Sequence, residues 1–229
     1  MKDIKIIAFD ADDTLWVNEP HFQETEARFC ELMEDYLSRH RTSQELFKTE
    51  MDNLALYGFG VKSFMLSMIE TAMRISEGTI NFEVIQRIIE LGKELLQKPI
   101  ELLDGVEEVL KALSHKYKLV VATKGDLLDQ ERKLEKSQLG KYFHHVEIMS
   151  DKKEEDYQKL LGHLDVAPGS FLMVGNSVKS DVLPVLNIGG AAIHIPYHTT
   201  WAHEHVDYDI ENQKFIKFEA IKEILPILI

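Results

Sequence analysis

The stretch that constrains this chain most is Ile4 to Trp16, IKIIAFDADDTLW. Its first half, Ile4 to Phe9, is a short, partly β-branched apolar run that stops at a polar cluster, the pattern of a buried strand. Asp10, Asp12, Asp13 and Thr14 follow at once. In an open parallel sheet, ligands bind beyond the carboxyl ends of the strands, so two carboxylates two residues apart stand where chemistry is expected. In another fold the same residues would only turn the chain and cap a helix. The remaining sequence must therefore say whether such a sheet exists.

From Leu102 onward it does. Gly105 to His115 reads as a helix, Lys118 to Ala122 as a strand, and Leu127 to Leu139 as a charged helix. His145 to Met149 is a short strand, Glu155 to Leu164 a helix, and Phe171 to Val174 a strand. Ser180 to Asn187 is a helix, Ala191 to Ile195 a strand, and Phe218 to Leu228 a closing helix. Five strands alternating with helices predict an α/β fold, a doubly wound parallel sheet.

Between Asn18 and about Lys98 the period is helical throughout. Pro20 to Arg39, Gln44 to Tyr57, Val61 to Ser76 and Phe82 to Gln97 read as four helices, with Ser43 and Asn81 as N-caps. Gly58-Phe59-Gly60 and Glu77-Gly78 are the breaks. Four helices without a strand do not fit the alternating pattern, so this segment is expected to be an insertion that packs on itself. The expected division is residues 1–16 and 99–229 for the sheet domain and 17–98 for the helical one.

Composition narrows the partners. The 229 residues carry 26 Lys and Arg against 39 Asp and Glu, a formal charge of −13, with no basic run. Nucleic acids and anionic membranes need clustered cations, so neither is an expected partner. An anionic substrate would meet a repulsive field, and a divalent cation with a well-placed lysine would have to overcome it locally. Cys30 is the single cysteine and lies in a helical pattern, which makes it a packing residue. No apolar run reaches membrane-spanning length and the first strand starts close to Met1, so the cytoplasm is the expected compartment.

FDADDTLW resembles the first signature of the haloacid dehalogenase-like (HAD) hydrolase superfamily, a strand that delivers D-x-D-x-T and an apolar residue. Matches in the expected order follow. Thr123 stands where the second signature places a Thr or Ser whose hydroxyl binds a phosphoryl oxygen. Lys152 fits the third signature's spacing to the aromatic Tyr157 better than Lys153 does. Val174-Gly175-Asn176-Ser177 with Asp181 resembles the fourth, in which the Asn176 position is usually a second Asp.

The resemblance implies phosphoryl transfer. Asp10 would be the nucleophile that forms an aspartyl-phosphate, and Asp12 the general acid that protonates the leaving oxygen and then activates water. Asp13 is a turn residue, and Thr14 acts on the local backbone. Magnesium, as Mg²⁺, would be held by Asp10, the Asp12 carbonyl, Asp181 and Asn176, although Asn176 could instead hold Asp10 or Lys152 in place. Lys152 would offset the charge of the phosphoryl group. Lys124 is expected to be exposed, within approach of the substrate. Beside the Gly58/Gly60 break, Phe59 and Lys62 are expected substrate contacts in a helical C1 cap, the element that closes over the site in this superfamily. The implied activity is that of a phosphatase of a small phosphorylated metabolite. A 2-haloacid dehalogenase lacks an acid at the Asp12 position; a phosphomutase keeps both acids and stays open, as does a non-catalytic binding protein. His194, His198, His203 and His205 around Tyr197 and Trp201 match no zinc spacing and are expected in a loop flanking the site.

Overall fold

The structure, a computed structural model, describes residues 3–206 and 210–229. The chain divides into two compact units: Met1–Glu19, Ile100–Lys124 and Gln130–Ile229 form one, and Pro20–Pro99 with Gly125–Asp129 the other.

The first unit is built on a parallel sheet. Its strands are β1 (Ile6–Phe9), β2 (Lys118–Lys124), β3 (His145–Met149), β4 (Phe171–Gly175), β5 (Ala191–His194) and β6 (Phe215–Lys217), in the order β3-β2-β1-β4-β5-β6. β1 is central because nothing on it needs water: Ile6, Ile7, Ala8 and Phe9 are all buried. Alternate residues serve opposite faces. Ile7, Phe9, Leu119, Val121, Leu172 and Val174 join Val106, Val109 and Leu113 of α5 (Val106–Ser114). Ile6, Ala8, Val120, Phe171 and Met173 join Tyr157 and Leu160 of α7 (Glu154–His163). The chain order runs outward on both sides of β1, so the switch point of the sheet lies between β1 and β4, at the end that carries Asp10.

The second unit holds α1 (Glu19–Leu32) from Pro20 on, α2 (Arg39–Tyr57), α3 (Val61–Ile75) and α4 (Phe82–Leu96). Phe29, Cys30, Met33, Leu46, Phe64, Met68, Ile88 and Leu91 form its core. Cys30 is thus buried packing, as its helical position implied.

Five sequence expectations need correcting. The first helix stops at Leu32, not Arg39, because Met33 to Leu37 continue the apolar spacing as a turn; extended Ser38 then takes the N-cap position of α2. Ser43 is therefore inside α2, where its hydroxyl donates to Glu26 at 2.5 Å. The segment Ser180–Asn187 is not one helix: a π-helical turn, Val178–Val182, precedes α8 (Leu183–Asn187), whose first turn holds Pro184. The closing helix is split into a 3-10 turn, Ile221–Ile224, and α9 (Leu225–Leu228), because Pro226 has no N–H and fits only a first turn. β6 was not expected; it is a three-residue edge strand paired with β5.

Candidate active site

Asp10 leaves β1 with its backbone N–H donating to the Val174 carbonyl at 2.9 Å, which fixes it against β4. Its carboxylate accepts from Lys152 Nζ, and the same ammonium donates to Asp181 at 2.7 Å. All three side chains are buried. Lys152 stands just before α7, and Asp181 comes from the π-helical turn after β4. A side chain at position 175 would run into the Asp181 carboxylate, so only glycine lets that turn fold back against its own strand. The Ser177 N–H holds the other Asp181 oxygen at 3.0 Å.

Two buried carboxylates against one ammonium leave a surplus negative charge. Burial pushes Asp10 up to about 7; Lys152 opposes that shift and Asp181 adds to it. Burial disfavours the Lys152 ammonium, but Asp10 and Asp181 outweigh it and hold the group above the usual lysine range.

On the far side of Asp10, oxygens converge. One terminal atom of the Asn176 amide lies 3.1 Å from Asp10 Oδ2, 3.3 Å from the Asp12 carbonyl and 3.2 Å from the Thr14 hydroxyl. With its nitrogen here Asn176 donates to all three; with its oxygen here it accepts from Thr14 and adds a third oxygen beside the other two. Neighbouring oxygens of an octahedron around Mg²⁺ are about 3 Å apart, given ligand distances near 2.1 Å. The donor set, its spacing and the surplus charge all fit a hard divalent cation held by Asp10, the Asp12 carbonyl and Asn176, with Asp181 alongside.

The Asp12 carboxylate sits elsewhere. It accepts from Trp16 Nε1 at 2.7 Å, Lys133 Nζ at 2.9 Å and Gln130 Nε2 at 2.8 Å. Gln130 also donates to the Lys124 carbonyl at 3.1 Å, which fixes which end of its amide faces Asp12. Every neighbour is a donor, so this cradle suits the ionised acid. Asp13, at φ 60°, accepts from the N–H groups of Asn18 and Glu19 and starts α1, the turn role expected of it. Its burial raises it to about 7.

Thr123 is buried at the end of β2, two residues beyond the level of Phe9. Lys124, expected to be exposed, is instead largely enclosed, because a carboxylate reaches it: Glu204 accepts from Lys124 Nζ at 2.5 Å. Glu204, Gln130 and Lys133 were missed in the sequence. Gln130 and Lys133, one helical turn apart on α6 (Leu127–Ser137), gave a faint signal by their shared face; Glu204 gave none. His194 meets the Asn176 carbonyl at 2.9 Å, His198 packs on Tyr197, and His203 lies against Lys179. In the helical unit, Lys62 pairs with Asp126 at 3.1 Å and its backbone N–H donates to the same carboxylate.

A doubly wound sheet that delivers a buried, lysine-bridged carboxylate pair at its switch point has the layout of an α/β enzyme with an acidic centre. The chain belongs to the haloacid dehalogenase-like hydrolase family, whose model matches residues 4–189. It is 36% identical to the HAD-like family hydrolase of Xanthomonas campestris, with a TM-score of 0.89 over 99% of this chain and 92% of that one. The Bacillus subtilis HAD-hydrolase YfnB, whose structure is bound to magnesium, shares the fold at 16% identity, with a TM-score of 0.68 over 98% of each chain. N-acylneuraminate-9-phosphatase of Mus musculus is 27% identical over 125 residues, 52% of this chain and 50% of that protein. The chain thus spans about half the length of the curated relatives it matches. Among the described residues no helix is long and apolar enough to cross a membrane.

Proposed function

We propose that this hydrolase is a Mg²⁺-dependent phosphatase of a small phosphorylated metabolite, working through an aspartyl-phosphate on Asp10. The observation that carries the reading is the Asp10–Lys152–Asp181 arrangement at the switch point; Asp12, two residues beyond Asp10, is the acid this reading calls for. In the first step a carboxylate oxygen of Asp10 bonds to phosphorus while the bond to the leaving oxygen breaks. That oxygen takes the proton of Asp12. In the second, Asp12 takes a proton from water, the water oxygen bonds to phosphorus, and the Asp10–phosphorus bond breaks to release phosphate. Mg²⁺, when bound, neutralises phosphoryl oxygens. Lys152 and the Thr123 hydroxyl hold the same group. The cradle of Trp16, Gln130 and Lys133 suits Asp12 after it has given up its proton; donation requires the side chain to turn out of it.

The relatives named N-acylneuraminate-9-phosphatases make phosphate esters of sugar acids the first substrate class to screen. Hydrolysis of p-nitrophenyl phosphate and of such a panel, in Mg²⁺ and in EDTA, tests the reading. Asp10→Asn should lower turnover by at least about a thousandfold, since it removes the nucleophile. Turnover that survives EDTA or the substitution would refute the proposal.

A further inference from the structure

We infer that Glu204 is a positioning residue for this site, acting through Ser177, Ser180 and Lys124 and not on the substrate; the inference rests on the phosphatase reading above. A carboxylate in an acidic crevice of an acidic protein is costly to bury without matched donors. Glu204 has them. One oxygen accepts from Lys124 Nζ at 2.5 Å; the other accepts from the Ser180 hydroxyl at 2.6 Å and from the Ser177 hydroxyl.

Each donor neighbours a residue of the site. Lys124 follows Thr123, Ser177 follows Asn176, and Ser180 precedes Asp181. Glu204 therefore ties the end of β2 to the turn after β4. It also sets hydrogen-bond direction, because it can only accept and Lys124 can only donate, whereas the two serines can do either. With its hydrogen given to Glu204, Ser177 Oγ is free to accept from the Ser180 N–H at 3.0 Å. Ser180 Oγ likewise accepts from Lys124 Nζ at 3.0 Å. That hydrogen-bonded turn presents the Ser177 N–H to Asp181, whose other oxygen meets Lys152. Without Glu204 both hydroxyls can rotate, and the ammonium next to Thr123 loses the Glu204 carboxylate.

The turn that bears Glu204, Ala202–Glu204, has a second fastening: Lys179 Nζ donates to the His203 carbonyl at 2.9 Å. Removing the Glu204 carboxylate should therefore disorder the hydrogen-bond directions more than the loop.

The test is Mg²⁺ titration by calorimetry, with thermal melting and steady-state kinetics, on the wild-type protein, Glu204→Ala and Glu204→Gln. Changes in such outer partners typically cost about 10–100-fold in metal affinity or activity. The expected result is a Mg²⁺ Kd raised about tenfold and a kcat lowered about tenfold, with KM within about threefold, in variants that still melt cooperatively. A Kd within about twofold of wild type in a folded variant would overturn the inference. So would absence of Mg²⁺ binding by the wild-type protein, or failure of both variants to fold, which would make Glu204 a plain structural residue. Weakened calorimetric binding in a protein that hydrolyses no phosphate ester would instead sink the phosphatase reading and leave the role of Glu204 standing.

Discussion

The four helices α1–α4 and the strand-end face of the sheet handle charge in opposite ways. On the helices the ion pairs lie outside: Arg74 with Glu45, Arg28 with Glu94, Lys98 with Glu24. Their buried polar groups are mostly hydroxyls such as Thr25, Thr49 and Thr71, which bond to backbone carbonyls or to each other. At the strand ends Asp10, Lys152 and Asp181 are buried, and Glu204 and Lys124 nearly so. A pair in water is screened and loses side-chain entropy, so it adds little. A buried charge is expensive unless matched donor by donor, and a fold keeps such groups mainly where chemistry uses them. The difference separates residues that hold the protein together from residues it holds in place.

The largest effect should come from breaking the match. Lys152→Met leaves Asp10 and Asp181 as two buried carboxylates without their shared ammonium, and removal of one partner of a buried pair costs about 3–5 kcal/mol. Urea denaturation in EDTA should show that loss, and Mg²⁺ should restore part of it. In the helices the same order of effect needs an apolar change. Met68 is fully buried among Phe29, Leu46 and Ile88, so Met68→Ala should cost on the order of 3 kcal/mol in the same assay.

A pH titration sharpens the comparison. Burial alone would raise Glu204, but Lys124 and the two serine hydroxyls more than offset it and hold the group at about 2, against an ordinary 4.5. A folded-state value below the unfolded one stabilises the protein above about pH 4.5, and that stability is lost as pH falls through about 2. Relative to Glu204→Gln, the wild type should lose about 2–3 kcal/mol of advantage between pH 5 and pH 2. An advantage that does not change with pH would mean the carboxylate is not held as an ion.

The parts of the site that could be read in the sequence were those carried by strand ends. The resemblance to the family signatures, and not local period alone, singles out Asp10, Thr123, Lys152 and Asp181, and the sheet order puts the strand ends near which they stand side by side. The residues that could not be read are those whose partners come from far along the chain. Glu204 meets Lys124 across 80 positions and Lys133 meets Asp12 across 121, and no local period marks either. In the fold, the apolar spacing of Met33, Tyr36 and Leu37 imitates a longer first helix because a turn can keep that spacing. β6 was invisible because three residues carry no period, and only its pairing with β5 defines it.

The smallest expected effect is the one that could break the comparison outright. Glu45 accepts from Arg74, and both side chains are more than one third exposed. Its carboxylate lies below the usual glutamate range because the guanidinium bonds to it. Yet Arg74 also donates to the Glu45 backbone carbonyl at 3.1 Å and to Thr49 at 2.9 Å, and neither bond needs the carboxylate. Glu45→Ala therefore leaves the guanidinium bonded and in contact with water, so the melting midpoint should move by less than about 2 °C. Raising the salt concentration should narrow even that difference, because exposed pairs are screened. A fall as large as that of Met68→Ala, unchanged by salt, would show that a charge on the helices carries core weight, and the division between surface pairing and buried matching would fail.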